Sequence, residues 1–298
     1  MTSSGVTAPA SATSPFRVEH GGPAGGPRIV LVHGLGGSHV NWNRVGPLLA
    51  GQNRPVALDL AGFGRTPGAG RQASVGANVA LVTRFLREET DGEAILVGNS
   101  MGGVISLLAA AAAPDLVRGL VLVDPALPRA KGAGLDPVVG LQFLTYGLPV
   151  SGEIALSVRL ARVPAERRVA ATLRLGCVDP GRVSAEHVAA EAEMARIRAK
   201  TPGNVSAHLA ATRSLLLVLA RQEAFWRAAG SVRCPVLLVH GDGDRLVPFA
   251  SARAAAKRFP AWSFHPLFGV GHIPQIEAPE ELSAAIEDWM AVRLPKAG

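Results

Sequence analysis

The run Ala94-Ile95-Leu96-Val97-Gly98-Asn99-Ser100-Met101-Gly102-Gly103 restricts the folds open to this chain more than any other stretch. Four apolar residues predict a buried strand, and the alanine-rich run Val104 to Ala113 predicts a helix that follows at once. Ser100, flanked two residues away on either side by glycine, then stands on a sharp strand-to-helix turn. The glycines have a mechanical reason. The turn is strained, and side chains at those positions would collide where strand and helix converge. The first turn of the helix aims unpaired N–H groups and a partial positive charge at the space above the serine. A serine so placed is set to react with a group that becomes negatively charged.

Such a turn needs a domain around it. At 298 residues, 48% hydrophobic and 18% charged, the chain suits one large globular domain, or a core with one substantial insertion. The net charge of +7 rests mostly on scattered arginines, the lysines being Lys131, Lys200, Lys257 and Lys296. No arginine-rich face is interleaved with aromatics, so no nucleic-acid partner is expected. Cys177 and Cys234 lack neighbours at metal-ligand spacing, so neither a disulfide framework nor a metal site is expected. Met1–Pro15 is rich in Ser, Thr, Ala and Pro without a basic start or an apolar centre, which predicts a disordered tail rather than a signal peptide. The apolar stretches Leu107–Ala113 and Leu215–Ala220 are too short to span a bilayer, and a cytoplasmic protein is expected.

Short apolar runs alternate with helical patterns through the first part of the chain. Strands are predicted at Phe16–Glu19, Ile29–Val32, Val56–Leu58, Ile95–Val97 and Leu120–Val123, with helices near Trp42–Leu49, Val75–Glu89 and Met101–Ala113. This alternation predicts an α/β fold, a mostly parallel central sheet with helices on both faces. From residue 125 to residue 230 the rhythm breaks into helical patterns at Glu153–Arg162, Ala165–Leu175, Ala185–Lys200 and Val205–Ala220. Strands resume at Pro235–Val239 and Ser263–Leu267, and a helix over Pro279–Arg293 closes the chain. The expected organisation is a core of residues 16–124 and 231–298, interrupted by an all-helical cap over 125–230.

Three further segments follow predicted strands, where open parallel sheets gather their ligands. They are His33-Gly34-Leu35-Gly36-Gly37, Gly241-Asp242-Gly243-Asp244-Arg245-Leu246-Val247-Pro248 and Gly269-Val270-Gly271-His272-Ile273-Pro274. Together they supply a chemistry. Serine is a poor nucleophile without a base that titrates near neutrality, and His272 has that chemistry. The imidazole needs a carboxylate to orient it and balance its transient charge, for which Asp244 is a candidate. An oxyanion needs two N–H donors, for which the backbones of Met101 and Leu35 are candidates. Asp242, on the same loop, and Asp124, after the strand Leu120–Val123, are rival acids.

With these residues in place the chain resembles the α/β-hydrolase superfamily, in its capped serine esterase and C–C hydrolase branch. The resemblance rests on His33–Gly34, Asp59-Leu60-Ala61-Gly62-Phe63-Gly64, the serine turn, Gly241…Asp244…Val247-Pro248 and Gly271–His272, and runs from Phe16 to Arg293. The order Ser100, Asp244, His272 is the family's order, and the family pattern places the acid three residues before Val247. The resemblance implies Ser100 as nucleophile, His272 as base, Asp244 as acid and an oxyanion hole from Leu35 and Met101, without metal or organic cofactor. Haloalkane dehalogenases and epoxide hydrolases of this superfamily carry aspartate where Ser100 stands.

Candidates to line a pocket beneath the helical block are Trp42, Phe143, Tyr146, Phe225 and Trp226, with Leu246 and Ile273 beside the reactive atoms. They suggest an apolar partner, and the expected activity is hydrolysis of a small, fairly apolar carboxylic ester through an acyl-enzyme. Gly-Asn-Ser-Met-Gly is also similar to the C–C hydrolases of ring-opened aromatic acids. Those relatives usually follow the catalytic histidine with tryptophan and carry an arginine from the cap. Here Ile273 follows His272, and the cap reads Glu191-Ala192-Glu193 where that arginine is sought. A ligand-binding protein on the same fold is the remaining alternative. The oligomeric state is left open.

Overall fold

Strands buried on both faces build the centre of the molecule, and that burial explains their continuous apolar sequences. A computed structural model describes residues 6–7, 14–90 and 92–294. The strands are β1 (Val6–Thr7), β2 (Arg17–Glu19), β3 (Arg28–Val32), β4 (Arg54–Leu58), β5 (Ala94–Asn99), β6 (Val117–Val123), β7 (Val236–Gly241) and β8 (Ser263–Leu267). The α-helices are α1 (Val45–Leu49), α2 (Val75–Glu89), α3 (Met101–Ala112), α4 (Pro137–Gly147), α5 (Ser151–Arg162) and α6 (Ala165–Gly176). They continue with α7 (Ala185–Lys200), α8 (Asn204–Ala220), α9 (Gln222–Gly230), α10 (Phe249–Arg258), α11 (Pro274–Glu277) and α12 (Pro279–Arg293).

Among the described residues the sheet has eight strands in the order β1-β2-β4-β3-β5-β6-β7-β8. From β4 to β8 every pairing is parallel, while β1 and β2 form an antiparallel edge. Alternation along the strands sorts the core into two layers. Val30, Val32, Leu96, Leu120, Leu122 and Leu238 face α2, α3 and the helices around them. Ile29, Leu31, Ile95, Val97, Val121 and Val239 face α1 and α12, where Trp42 and Trp289 are also packed.

The expected elements are present, with three informative differences. The helix expected over Trp42–Leu49 is a 3-10 turn, His39–Trp42, followed by the short α1. Ser38 starts that turn by accepting a hydrogen bond from the Val40 N–H. Helix α4 gives no clear helical period in sequence, because apolar residues run around its circumference. Its start carries ordinary signals, since Asp136 accepts from the N–H groups of Val138 and Val139 and Pro137 occupies the first helical position. Finally, α9 puts Phe225 and Ala229 into the same layer as α3, so the last helix before β7 packs with the sheet. Of the stretch expected as a tail, Val6–Thr7 pairs with Arg17–Val18, and residues 1–5 and 8–13 lie outside the described residues.

Candidate active site

Strand order decides what meets at the carboxyl edge of the sheet. The chain passes from β4 to β5 across β3, so the loops after β3 and β5 are neighbours, with Val32 opposite Gly98. This is the switch-point geometry at which open parallel sheets form crevices. Beyond β5, strands β6, β7 and β8 follow side by side. Ser100, Asp124, Asp244 and His272 therefore all emerge at or just beyond the ends of adjacent strands.

Ser100 has φ 53° and ψ −118°, a conformation that costs a non-glycine residue about 1–3 kcal/mol and persists only where its surroundings enforce it. They do so here. The Ser100 N–H donates to Val123 O at 3.0 Å, and the Ser100 carbonyl accepts from Val104 and Ala126. A Cβ on Gly98 would strike the backbone of Gly102, and a Cβ on Gly102 would strike the carbonyls of Val32 and His33. Glycine at those positions brings strand, helix and the loop after β3 together.

That loop is fixed from beneath by His33, which is completely buried. Its Nε2 accepts from the Leu60 N–H at 3.0 Å, so the ring proton lies on Nδ1 and is donated to Gly34 O at 2.8 Å. Burial lowers the His33 pKa to about 4, which keeps the ring neutral. A Cβ on Gly34 would lie 3.1 Å from the Cβ of Ser100, so this loop and the serine are in near contact. Met101 is the first residue of α3, where N–H groups lack intrahelical acceptors, and Leu35 is half-buried on the facing loop.

His272 Nδ1 lies 2.7 Å from Asp244 Oδ2. Asp244 Oδ1 accepts from the N–H groups of Leu246 and Val247 at 2.7 and 3.0 Å. Burial opposes ionisation of Asp244, but His272, His240 and these N–H groups outweigh it and hold the carboxyl below its ordinary range. The rival Asp242 instead accepts from the Gly269 N–H on the exposed side of the loop.

Asp124 is also in the cluster. Fully buried at φ 42°, it accepts from the Gly241 N–H at 2.9 Å, and a carboxyl oxygen of it lies within 4.8 Å of Asp244 and His272. Burial and the Asp244 charge push its pKa well up, which favours the neutral form of Asp124 over that of Asp244. Among the described residues, Asp124, Asp244 and His272 form the one group whose ligand atoms lie within 4.8 Å of one another. Its Asp244 and His272 atoms are already engaged with each other. His240 is completely buried beside this pair, with Nε2 at 3.0 Å from Val247 O and 3.3 Å from Asp244 Oδ2.

Asn99, Glu277 and Gly176 were not recognised as site-building residues. The Asn99 amide donates to Val123 O at 3.1 Å and to His272 O at 3.0 Å, which ties the serine strand to the histidine loop. Asn99 is thus engaged in a scaffold. Buried Glu277 accepts from Gly271 N–H and Asp179 N–H, both at 2.7 Å. At the end of α6 the Gly176 carbonyl accepts from His272 N–H at 2.6 Å, and it leaves no room for a Cβ on Gly271.

Helix α7 also reaches the loop after β3. The Asn41 amide donates to Glu191 at 2.6 Å. Burial raises the Glu191 pKa to about 7. Two turns on, the Arg198 guanidinium donates to the Gly36 carbonyl, stacks 4.9 Å from the Phe63 ring and leaves its buried Nε without a partner. Arg198 lies seven residues beyond Glu191 on the same helix.

The expected pocket residues separate. Trp42 is completely buried in the layer with α1 and α12, so it is a core residue there and not part of a pocket wall. Phe225 packs with α3 in the opposite layer, its ring edge-on to Trp226. Tyr146 is buried with Leu156 and Leu209, edge-on to His208, and Phe143 is half-buried on the same helix. Ile273 packs against Gly176 and the α6–α7 cluster, and Leu246 is half-buried beside Asp244.

Comparison with known proteins adds a family. Residues 27–279 match the family described as alpha/beta hydrolase fold. The pimeloyl-[acyl-carrier protein] methyl ester esterase of Aromatoleum aromaticum is 31% identical over 268 residues, 88% of this chain and 97% of the esterase. The 2-hydroxy-6-oxo-6-(2'-aminophenyl)hexa-2,4-dienoic acid hydrolase of Metapseudomonas resinovorans is 32% identical over 128 residues, 41% of this chain and 44% of that one. The haloalkane dehalogenase DbeA of Bradyrhizobium elkani superposes with a TM-score of 0.76 at 22% identity, covering 94% of this chain and 95% of the dehalogenase, a likeness of fold.

Proposed function

This chain belongs to the alpha/beta hydrolase fold family, and from that premise we propose that it is a serine hydrolase of carboxylic esters whose acyl or alcohol part is fairly apolar. Ser100 Oγ attacks the ester carbonyl while His272 Nε2 takes its proton. The oxyanion of the tetrahedral intermediate is held by the N–H groups of Leu35 and Met101, each worth about 10²–10³ in rate. Asp244 fixes the imidazole tautomer and stabilises the transient imidazolium. His272 returns the proton to the departing alkoxide. It then removes one from water, whose oxygen attacks the acyl carbon; the bond to Ser100 Oγ breaks, His272 gives that proton to Oγ, and the acid leaves.

The observation that carries this reading is the His272–Asp244 contact at 2.7 Å, at the same sheet edge as the strained Ser100 turn. The esterase relationship over nearly the whole chain supports the ester as substrate class. Residues 125–230 serve as the cap, with Phe143, Tyr146, Leu246 and Ile273 beside the acyl or alcohol group. A fluorophosphonate tests the assignment directly. Mass spectrometry is expected to find one adduct, on Ser100 and absent from Ser100→Ala; an intact protein that gains none would overturn it.

One observation favours a second reading, cleavage of a C–C bond in a vinylogous diketone acid. Arg198 offers a buried guanidinium from the helical block beside the Gly36 carbonyl, where a substrate carboxylate could be met. A chromogenic ring-opened acid consumed much faster than p-nitrophenyl esters would decide for it.

A further inference from the structure

The outer side of α4 and α5 is apolar where a water-facing surface is ordinarily polar. On α4, Val138, Leu141 and Leu144 recur at helical spacing along one stripe, with Leu148 just past its end and Leu141 65% and Leu144 61% exposed. On α5, Ile154 and Val158 continue it, with Ile154 60% exposed. The inner sides are satisfied, since Val139, Tyr146 and Leu156 are buried. Large apolar side chains this exposed on two helices packed against each other point to an interaction surface.

The charge beside the stripe says what covers it. A groove of about 290 Å³ at the end of α5 is lined by Leu160, Val163 and Pro164 and by Arg162, Arg168, Arg196 and Lys200. Arg168 has a buried Nε without a partner, and burial, with the nearby Arg159 charge, depresses its pKa. The carboxylates of this face are already engaged: Asp136 with Arg245, Glu153 with Arg213, and Glu166 with Arg196. Arg196 is held by Glu166 and Glu193, which leaves Arg162, Arg168 and Lys200 as the groove's cations without an ion pair among the described residues. An apolar stripe beside them matches a surface with hydrocarbon below and negative phosphates above. A second copy fits poorly, because it would bring two sets of these arginines together with no free carboxylate between them.

We propose that the outer face of α4 and α5, with the cationic groove beside it, docks this protein on the surface of an anionic phospholipid membrane. The stripe enters the headgroup–acyl boundary, and the groove receives a headgroup phosphate. Among the described residues no helix is long and apolar enough to cross a membrane, so this is attachment to one leaflet. The inference does not depend on the reaction proposed above.

Co-sedimentation with vesicles tests it. The full chain is expected to bind vesicles containing about one third phosphatidylglycerol at least tenfold more tightly than phosphatidylcholine alone, and to be released by salt. Leu141→Glu/Leu144→Glu and Arg162→Glu/Lys200→Glu should each weaken binding by about tenfold or more. Arg253→Glu/Lys257→Glu, reversing two exposed cations on α10, should leave it within about twofold. Circular dichroism melts check that each variant is folded. No binding to anionic vesicles would overturn the proposal, as would equal weakening by all three variants, which would mean attraction by net charge alone. A lipid-free dimer abolished by Leu141→Glu/Leu144→Glu would also overturn it, assigning the face to a second copy.

Discussion

The side chain of Asn99 donates to the backbone carbonyl of His272 at 3.0 Å, across 173 positions of sequence. The same amide also donates to Val123 O, which accepts the Ser100 N–H as well. One buried amide therefore sets the distance between the strand that carries the serine and the loop that carries the histidine. Asn99→Ala leaves His272 O without this donor, at a cost of about 1–3 kcal/mol. The expected result is a lower urea midpoint and a fall in kcat of roughly 10–100-fold, with KM little changed, because misplacement of the base acts on chemistry. Stopped-flow labelling by a fluorophosphonate should slow in parallel.

Asp124 and Asp244 look interchangeable as acids, and the structure makes them chemically different. Burial and the Asp244 charge favour neutral Asp124, and Asp124→Asn keeps a neutral side chain with an acceptor for Gly241 N–H. Its kcat/KM at pH 7 should stay within about threefold of the parent, whereas Asp244→Asn should lose roughly 10⁴-fold. The linkage has a definite sign. Because the folded pKa of Asp124 is raised, its contribution is greatest below the unfolded value of about 4 and is lost as pH rises. Asp124→Asn should therefore gain stability relative to the parent between pH 4 and pH 8, read as the difference in urea midpoints. Equal loss of activity in both variants would mean that Asp124 is ionised and shares the acid's work.

Two glycines of one loop should behave differently. A Cβ on Gly271 falls inside contact with Gly176 O, whereas one on Gly269 meets nothing within 4 Å. Gly271→Ala must move the His272 backbone or α6, with an expected loss of about 1–3 kcal/mol and a marked fall in kcat. Gly269→Ala strains only its own φ of 66°, about 1 kcal/mol, with kcat unchanged. Thermal melts and steady-state kinetics on the pair separate the two effects.

Buried histidines make the fold acid-labile. Burial lowers His33 to about 4 and His208 to about 3, and it lowers His240 as well. In the unfolded chain each titrates near 6.5. The unfolded state thus binds more protons below that value, and stability present above pH 6.5 is lost as pH falls. Each fully buried histidine contributes at most about 1.4 kcal/mol per pH unit. Glu191, raised to about 7, runs the other way and offsets part of the loss. Urea midpoints should fall between pH 7 and pH 5, and His208→Gln should fall less than the parent; an equal fall would remove His208 from the account.

What the sequence by itself determined is local. Gly98, Ser100 and Gly102 dictate a turn no other geometry accommodates, and the alternating apolar runs dictate a parallel sheet whose loops gather at one edge. Motif spacing sufficed to choose Asp244 over Asp242, since both lie on one loop and only Asp244 fits the pattern before Val247. The resemblance also favours Asp244 over Asp124, but by motif alone; which carboxyl meets His272 Nδ1 depends on how β6, β7 and β8 align. Asn99 read as a mark of substrate class, yet its amide is spent on two carbonyls that only strand order brings together. Trp42 reads as a pocket wall by its type, and the 3-10 turn that carries it turns the ring into the layer with α1 and α12. Arg198 had no signal in sequence, because its meaning is a carbonyl 162 residues away. Bonds between near neighbours fix the conformation of a turn, whereas a site is assembled from contacts that exist only once the sheet has chosen its order.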